Sequence, residues 1–449
     1  MHSPSEDLCP IDRLIPYVNN ARTHSKKQIR QIADSIKRFG FCNPVLVSDD
    51  HSIIAGHGRV EAARLIGMKE VPVRRLSHLS RDEIRAYILA DNKLAENAGW
   101  DRDLLAIEMQ GLIDLDFDIE ILGFSTTEID LVLDGEVRGE HVADHHLDAP
   151  EPISDGPAAT KAGDIWQLGP HSLLCADARS SEEIGRLLGG ESATMMFTDP
   201  PYNVPIDGHV SGLGRIRHRE FALASGEMDE TAFTEFLRRS LAAASDHLKD
   251  GAIAYVCMDW RHMRELLEAG HAVFDELNNL CVWNKTNGGM GSFYRSKHEL
   301  VFVFTKGRAA HINNFGLGDE GRYRTNVWDY PGISSLGATR DEELSMHPTV
   351  KPVAMIADAI RDCSRRGDIV LDIFGGSGSM LIAAEQCGRA ARLVEIDPLY
   401  CDTIIRRFER VTGERAVLAG TGAFFANVVA ERGETVSGYG KEALVEVQP

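Results

Sequence analysis

Blocks of apolar residues separated by polar turns run through residues 366–397 and give the clearest structural pattern in the chain. An apolar run, IVLDIF, is followed by GGSG, by SMLIAAEQC and by a second apolar run, ARLVEID. This order predicts a strand, a glycine-rich turn, a helix and a second strand. Together they form one βαβ unit, which predicts an α/β domain in the second half of the chain.

A second set of short apolar runs lies at residues 43–73, NPVLVSDDHSIIAGHGRVEAARLIGMKEVPV. It predicts a strand, a turn, a strand, a GHGR turn, a helix and a strand. Residues 133–157 contain prolines, glycines and acids without apolar periodicity, which predicts a linker. At 449 residues the chain is long enough for two or three domains.

Charge is distributed unevenly between these segments. The net charge of −20 argues against nucleic-acid binding when it is taken as one number, because phosphate contacts need Lys and Arg. Residues 13–93, however, have 15 Lys and Arg against 8 Asp and Glu, whereas residues 94–157 have 2 against 17. A basic block before an acidic one predicts a segmented chain whose first domain faces an anion.

Neither a metal nor a membrane is expected. The histidines of the linker, His141, His145 and His146, have helical spacing, but an acidic segment flanked by prolines does not preorganise a metal site. The eight cysteines are scattered without a Cys-x-x-Cys pair. No apolar run approaches ~18 residues and the N-terminus lacks a signal pattern, so we expect a cytoplasmic protein.

Two segments have the pattern of a ligand site. Pro200 and Pro201 follow the apolar run ATMMF and force a rigid turn, which would hold Asp199 and Tyr202 at the carboxyl end of a strand. The glycines of GGSG allow a close backbone approach to a ligand. Glu395, about 20 residues further on, lies where an acid commonly binds ribose hydroxyls. The spacing is not G-x-G-x-x-G, which favours a ribose-bearing cofactor other than a dinucleotide.

Three motifs in this order carry a resemblance: DPPY at 199–202, HPTVKP at 347–352 and DIFGGSG at 372–378. They resemble the S-adenosylmethionine-dependent DNA amino-methyltransferases, which modify adenine N6 or cytosine N4, and the motif order is similar to the permuted β class. The resemblance covers about residues 161–435. It implies a Rossmann-like α/β methyltransferase sheet, S-adenosylmethionine as cofactor, double-stranded DNA as substrate, and association with the nucleoid.

The resemblance also assigns roles to single residues. Asp372 and the glycines would hold the methionine end of the cofactor, Glu395 its ribose and Asp177 its adenine, although the family usually has Gly where Ala176 stands. The full set of expected cofactor residues is Asp177, Asp372, Phe374, Gly375, Gly376, Gly378, Glu395, Asp397, His347, Thr349 and Lys351. The catalytic residues would be Asp199, Pro200, Pro201 and Tyr202.

The DPPY motif suits amine methylation, because an exocyclic base amine is a poor nucleophile whose lone pair is conjugated with the ring. Asp199 and the carbonyl of Pro200 can each accept one amine hydrogen, and Tyr202 can stack on a flipped base. Methylation at cytosine C5 would need a cysteine, normally presented after proline, and the chain has no Pro-Cys pair. Asp as the first motif residue resembles the N6-adenine enzymes, and cytosine N4 remains the alternative.

Several basic residues are candidate DNA contacts. The loop at 203–221 carries three arginines and is interpreted as a DNA-contacting lid, with an ordinary solvated loop as a near-equal alternative. Residues 308–346 occupy the family's target-recognition position. The candidate contacts are Arg215, Arg217, Arg219, Lys285, Arg295 and Lys297.

Residues 9–97 resemble the ParB-type N-terminal domain of partition proteins, an α+β fold shared with sulfiredoxin. In that family the Gly-and-Arg turn binds nucleotide phosphates, and Gly56, Gly58 and Arg59 match it. His57 and Gly58 depart from the acidic and basic pair that is usual at these positions in the family. No cysteine lies in the turn, so sulfiredoxin chemistry is excluded. CTP or ATP binding, a structural role and DNA docking stay open, as does a homodimer.

The predicted organisation is a ParB-like domain at 1–97, a helical extension at 98–133, an acidic linker at 134–157 and a methyltransferase domain at 158–449. Two other functions stay open. One is a partition-like, nucleotide-switched DNA-binding protein with a degenerate methyltransferase domain, against which the intact DPPY motif argues. The other is methylation of RNA or protein.

Overall fold

The structure is a computed structural model, and it describes residues 7–115, 117–133, 147, 153, 156–204, 224–285, 288, 293–315, 323–332 and 350–432. The chain divides into two compact units, Met1–Glu136 and Val137–Pro449. Among the described residues no helix has both the length and the apolar character that a membrane span requires.

The first unit is a small α+β domain with a helical end. Its strands are β1 (Asp7–Pro10), β2 (Val45–Val47), β3 (Ile53–Ala55) and β4 (Glu70–Arg75). Its helices are α1 (Lys26–Phe39), α2 (His57–Leu65), α3 (Arg81–Glu96), α4 (Arg102–Asp114) and α5 (Thr126–Leu133). The sheet order is β1-β4-β2-β3. Along the chain, the order β2, β3, α2, β4 confirms the strand, turn, strand, helix and strand predicted for residues 43–73.

Local sequence determines where these helices begin. Gly56 has a φ of 104° and lies at the N-cap of α2, so the sharp entry into this helix depends on a residue without a Cβ. Helix α3 begins with a capping box in which Ser80 and Glu83 satisfy each other's backbone amides. A small core of Met109, Ile119 and Ile129 joins α4 to α5.

The second unit is built on one large sheet. Its strands are β5 (Ile165–Leu168), β6 (His171–Cys175), β7 (Ala193–Thr198), β8 (Leu248–Met258), β9 (Glu276–Asn284), β10 (His298–Thr305), β11 (Val327–Asp329), β12 (Ile369–Asp372), β13 (Ala390–Glu395) and β14 (Val417–Leu418). Its helices are α6 (Ser181–Leu188), α7 (Glu230–Ser245), α8 (Met263–Val273), α9 (Val353–Cys363), α10 (Ser379–Cys387) and α11 (Pro398–Thr412). The order β12, α10, β13 confirms the predicted βαβ unit.

The strand order of this sheet is β11-β9-β10-β8-β7-β12-β13-β6-β5-β14. The neighbours from β8 to β6 pair in parallel. Strand β10 is antiparallel to both β8 and β9, so β9 runs in the same direction as β8. The carboxyl ends of β6, β7, β8, β9, β12 and β13 therefore lie at one edge of the sheet, where open α/β sheets bind ligands.

Helices cover both faces of the sheet. One buried cluster joins the sheet to α9, α10 and α11, and it includes Met355, Met380 and Phe408. The other joins the opposite face to α6, α7 and α8 through Ile184, Phe233 and Leu266. Because both faces are covered, the central strands are continuous apolar runs, as the sequence pattern predicted.

Candidate functional site

The turns that follow β6, β7, β12 and β13 meet around one pocket at the carboxyl edge of the sheet. Most of the residues predicted for the catalytic motif and the cofactor line it, although they lie far apart in sequence. They are Asp177, Asp199, Pro200, Pro201, Tyr202, Lys351, Asp372, Phe374, Gly375, Gly376, Glu395 and Asp397. His347 and Thr349 lie outside the described residues, so they stay predictions.

The glycine-rich turn passes close to helix α11. A Cβ on Gly375 would lie 3.2 Å from Cδ1 of Ile404, and one on Gly378 would lie 3.1 Å from its Cγ2. Gly378 also has a φ of 80° at the N-cap of α10, a left-handed conformation that L side chains rarely adopt. The turn therefore needs glycine at both positions, and its backbone is left open toward the pocket.

Arg407 supports this turn from beneath. Its guanidinium is fully buried and donates from Nη1 to the carbonyl of Ser377 at 2.8 Å and to Oγ of Ser379 at 3.1 Å. Sequence reasoning missed this residue. A signal was present, because an arginine lies among the apolar positions Ile404, Ile405 and Phe408 of an amphipathic helix.

Glu395 lies at the end of β13 and faces the glycine turn. Its two oxygens accept the amides of Gly376 at 2.8 Å and Asp397 at 2.9 Å. Burial raises the pKa of Glu395 to about 7, against the opposing effect of these amide hydrogen bonds. An ionised carboxylate has about four acceptor positions, so this side chain can accept a further hydrogen bond from a ligand.

Asp372 and Asp397 are held by the backbone of their own turns. Asp372, only 5% exposed, accepts Oγ1 of Thr198 at 2.9 Å and the amide of Phe374 at 3.0 Å. Burial raises the pKa of Asp372 well above its usual value. Asp397 caps α11 by accepting the amide of Leu399. Both carboxylates therefore shape the pocket as well as lining it.

Asp177 has a different environment. Arg179 forms a bidentate ion pair with its carboxylate, donating from Nε to Oδ1 at 2.9 Å and from Nη2 to Oδ2 at 2.5 Å. These hydrogen bonds lower the pKa of Asp177 below its usual value. The guanidinium also lies 5.8 Å from the ring of Phe236, which lines the pocket. Sequence reasoning did not single out Arg179 or Phe236.

Asp199 follows β7 directly and meets a buried lysine. Nζ of Lys351, a side chain only 4% exposed, lies 2.5 Å from Oδ2 of Asp199. The hydroxyl of Tyr202 donates to Oδ1 of the same carboxylate at 2.7 Å. Lys351 was predicted from its motif to lie beside the cofactor, and it lines the same pocket while also contacting the DPPY carboxylate.

Glu299, at the start of β10, extends this cluster and was missed by sequence reasoning. Its Oε2 lies 3.0 Å from Nζ of Lys351 and 3.3 Å from the hydroxyl oxygen of Tyr202. Its Oε1 accepts Nζ of Lys285. The residue sits in the segment SKHEL without any recognisable motif, and only the pairing of β10 within the sheet brings it here.

The pKa shifts in this cluster reflect burial opposed by ion pairing. Burial raises the pKa of Asp199, Lys351 opposes that shift, and the charge of Glu299 adds to it. Burial would likewise raise the pKa of Glu299, but Lys351 and Lys285 outweigh it and hold the pKa at about 2. Burial lowers the pKa of Lys351, and the two carboxylates outweigh it and raise the pKa above its usual value. The two carboxylates therefore favour the charged form of Lys351.

The candidate DNA contacts differ in their surroundings. Lys285 is tied to Glu299 and lies 4.5 Å from the ring of Trp283, so its charge is partly used within the protein. Arg295 and Lys297 are exposed. Arg215, Arg217 and Arg219 lie outside the described residues, as does most of the segment 308–346.

In the first unit, Gly56, Gly58 and Arg59 lie at the start of α2. The guanidinium of Arg59 folds back over Gly56, where an added Cβ would lie 2.9 Å from Nη2, and it donates to the carbonyl of Pro44 at 3.3 Å. Burial lowers the pKa of Arg59 from its usual value. Nucleotide binding at this turn stays a prediction.

Family comparisons divide the chain into three matched regions. Residues 193–406 match a model described as DNA methylase, of the N6/N4 family. Residues 103–162 match the ParB-methyltransferase HTH domain, across most of the stretch predicted as helical extension and linker. Residues 5–93 match the ParB N-terminal domain.

Individual relatives match only part of the chain. The type II methyltransferase M.HpaI of Haemophilus parainfluenzae is 24% identical over 257 residues, which is 53% of this chain and 74% of the relative. The ParB-like nuclease domain-containing protein YnaK of Escherichia coli (strain K12) is 51% identical over 74 residues, 16% of this chain and 85% of the relative. Among solved structures, the cytosine-N4-specific PvuII DNA methyltransferase matches with a TM-score of 0.41 at 14% identity, over 62% of this chain and 94% of that one.

The fold and the matched domain define an S-adenosylmethionine-dependent methyltransferase. Within that class the chain carries a DNA methylase domain of the N6/N4 family at residues 193–406 and a ParB-type N-terminal domain at residues 5–93. The pocket fits the cofactor, since Gly375 and Gly376 line it without side chains and Glu395 can accept a further hydrogen bond from a hydroxyl group.

Proposed function

We propose that the protein methylates the N6 amine of adenine in duplex DNA at a specific sequence. The observation that carries this proposal is the carboxylate of Asp199, which is held at the rim of the cofactor pocket between Lys351 and Tyr202. An aspartate as the first residue of DPPY favours adenine over cytosine, where related enzymes commonly have serine. Cytosine N4 is the second candidate, since the family acts on both bases.

Asp199 activates the base amine by accepting one of its hydrogens. An ionised carboxylate has about four acceptor positions, and Lys351 and Tyr202 occupy two of them. The carbonyl of Pro200, fixed by the rigid Pro-Pro turn, accepts the second amine hydrogen. With both hydrogens held, the nitrogen lone pair is directed away from the ring system, and much of the rate gain is positioning.

Lys351 keeps Asp199 ionised in a buried site. Burial alone favours the neutral acid, which accepts hydrogen bonds poorly, and the ammonium at 2.5 Å opposes that effect. Glu299 pairs with Lys351 and Lys285, so the two carboxylates and two ammonium groups of the cluster have a net charge of zero. After transfer the methylated amine loses its surplus proton to Asp199. Burial raises the pKa of Asp199, which makes it a better proton acceptor.

Tyr202 receives the flipped base. Its hydroxyl donates to Asp199 and lies 3.3 Å from Glu299, so its ring is held next to the acceptor carboxylate, where a base can stack on it. Stacking on an aromatic ring stabilises a bound base by about 1–3 kcal/mol. The target base is inaccessible inside a duplex, so extrusion has to precede transfer.

The remaining pocket residues hold the methyl donor. Bound S-adenosylmethionine supplies an electrophilic methyl group on its sulfonium. Asp372 and the glycine turn would hold its amino-acid end and Glu395 its ribose, while Phe374 and Asp397 would form the walls of the pocket around it. Arg179 binds both oxygens of Asp177, so Asp177 would contact the adenine of the cofactor only through an acceptor position that Arg179 leaves free.

Transfer of an isotopically labelled methyl group tests this proposal. The purified protein is incubated with labelled S-adenosylmethionine and, separately, with unmethylated duplex DNA, RNA and a protein extract. We expect label in duplex DNA, and N6-methyladenine after nucleoside hydrolysis. Label in RNA or protein alone would refute the substrate, and N4-methylcytosine as the sole product would refute the base while leaving the active-site roles intact.

A further inference from the structure

The hairpin between β9 and β10 rises from the same edge of the sheet as the catalytic turn. Strand β9 runs in the direction of β7 and β8, so its carboxyl end at Asn284 lies at the edge where Asp199 follows β7. The two arms begin side by side, with the amide of Lys285 donating to the carbonyl of Lys297 at 2.8 Å. The base of the hairpin therefore adjoins the pocket.

Two side chains tie this hairpin to the catalytic cluster. Lys285 on the first arm pairs with Glu299 on the second, and Glu299 reaches both Lys351 and Tyr202. A residue four positions before Lys297 extends at most about 13 Å beyond it, on a reach of ~3.3 Å per residue. Phe293 therefore lies within about 13 Å of Lys297, about four base-pair steps of 3.4 Å, so it can reach the duplex beside a base held at Tyr202.

An exposed aromatic pair lies on the arm of the hairpin that leads into β10. Phe293 is 96% exposed and Tyr294 is 79% exposed, and their ring centroids lie 4.7 Å apart at 85°. Phe293 also has a φ of 64°, a strained conformation for a residue with a Cβ. Exposed Arg295 and Lys297 follow directly, so cations flank the two rings on their C-terminal side.

We propose that Phe293 and Tyr294 enter the duplex beside the target and fill the stack position that the extruded base leaves. Apolar and aromatic wedges commonly insert between base steps, and the vacated position offers a π-face above and below. Arg295 and Lys297 hold the flanking phosphates during insertion. This inference rests on the proposed function, because it presumes that a base leaves the duplex.

The test compares duplexes that differ only in how costly extrusion is. The methylated sequence is first mapped on unmethylated DNA, and two oligonucleotide duplexes are then made, one fully paired and one with an abasic site opposite the target. We expect Phe293→Ala/Tyr294→Ala to lower the single-turnover rate on the paired duplex about tenfold to 100-fold. The same variant should regain most of the wild-type rate on the duplex with the abasic site.

Two controls separate this role from others. Phe424→Ala removes another exposed aromatic side chain, beside β14 at the edge of the sheet far from β9 and β10, and should leave both rates unchanged. Phe293→Tyr/Tyr294→Phe keeps both rings and should restore the rate. A double alanine variant that equals wild type on paired duplex, or that is equally slow on both substrates, would overturn the wedge. A wild-type protein that methylates neither duplex would instead refute the proposed function.

Discussion

Lys351 and Asp199 form a buried ion pair, with 2.5 Å between Nζ and Oδ2, that joins two motifs 152 residues apart in sequence. The lysine belongs to HPTVKP and the aspartate to DPPY. This pairing places the lysine at the carboxylate proposed for catalysis as well as in the pocket proposed for the cofactor. It also makes the ionisation of Asp199 depend on charges contributed by three separate elements.

The pH dependence of methyl transfer should reveal that arrangement. Asp199 accepts an amine hydrogen only when ionised, so the rate should fall as pH falls through its pKa. Lys351→Met removes the cation that opposes burial, raises the pKa of Asp199 and should move this acid limb to higher pH. Glu299→Gln removes a neighbouring negative charge and should move the limb to lower pH. Single-turnover rates across pH measure both shifts.

The two variants should shift the acid limb of the rate profile in opposite directions. The groups that face Asp199 are Lys351, Glu299, Tyr202, Cys257 and Asp372, with Lys285 acting through Glu299. A purely structural role for the cluster would lower the rate in both variants without moving the limb. Limbs that shift in the same direction, or not at all, would contradict the charge account.

Asp199 and Glu395 should divide the work between chemistry and binding. Asp199→Ala is expected to slow transfer by about 10²–10⁴-fold while cofactor affinity stays nearly unchanged, because the carboxylate acts on the amine. Glu395→Ala should weaken cofactor binding first. Calorimetric titration of S-adenosylmethionine into both variants checks the division, and loss of binding in Asp199→Ala would show that the assignment is wrong.

Cofactor binding should itself depend on pH near neutrality. The pKa of Glu395 is about 7 in the free protein, and hydroxyl donors favour its ionised form. Affinity for S-adenosylmethionine should therefore rise as pH increases from about 6 to 8 and level off above. Glu395→Gln should flatten this dependence. A wild-type affinity that is constant over this range would remove Glu395 from the ribose site.

The glycine turn offers a stability test with a matched control. Gly378→Ala combines a φ of 80° with a Cβ 3.1 Å from Ile404, whereas Gly413→Ala has a similar φ of 75° with nothing within 4 Å. Gly413→Ala should lower the free energy of unfolding by about 1–2 kcal/mol. Gly378→Ala should cost more and also weaken cofactor binding. Denaturant unfolding and titration measure both, and equal effects would show that the turn tolerates a side chain.

The basic first domain should act on DNA affinity rather than on chemistry. Residues 13–93 carry a net +7, since 15 Lys and Arg stand against 8 Asp and Glu. Deleting residues 1–136 should preserve cofactor binding and flatten the salt dependence of DNA binding, by roughly one unit of slope for each phosphate that this domain neutralises. An unchanged slope would exclude docking, and loss of cofactor binding would show that both units build one site.

Sequence patterns predicted those parts of the fold and site whose residues are close together in the sequence. The βαβ unit at 366–397 and the strands and helix at 43–73 were found because short apolar runs and glycine turns are local signals. Glu299 was missed because its partners come from other strands and motifs, and nothing in SKHEL signals them. Arg407 was missed although its place on the apolar face of α11 was visible.

Nucleoside analysis of DNA from cells that express the protein tests the central claim most directly. DNA from a host without its own methyltransferases is hydrolysed and analysed by mass spectrometry, after expression of the wild-type protein or of Asp199→Ala. The account predicts N6-methyladenine with the wild type and none above background with the variant. DNA without any methylated amine in the wild-type sample, or equal methylation by the variant, would contradict it.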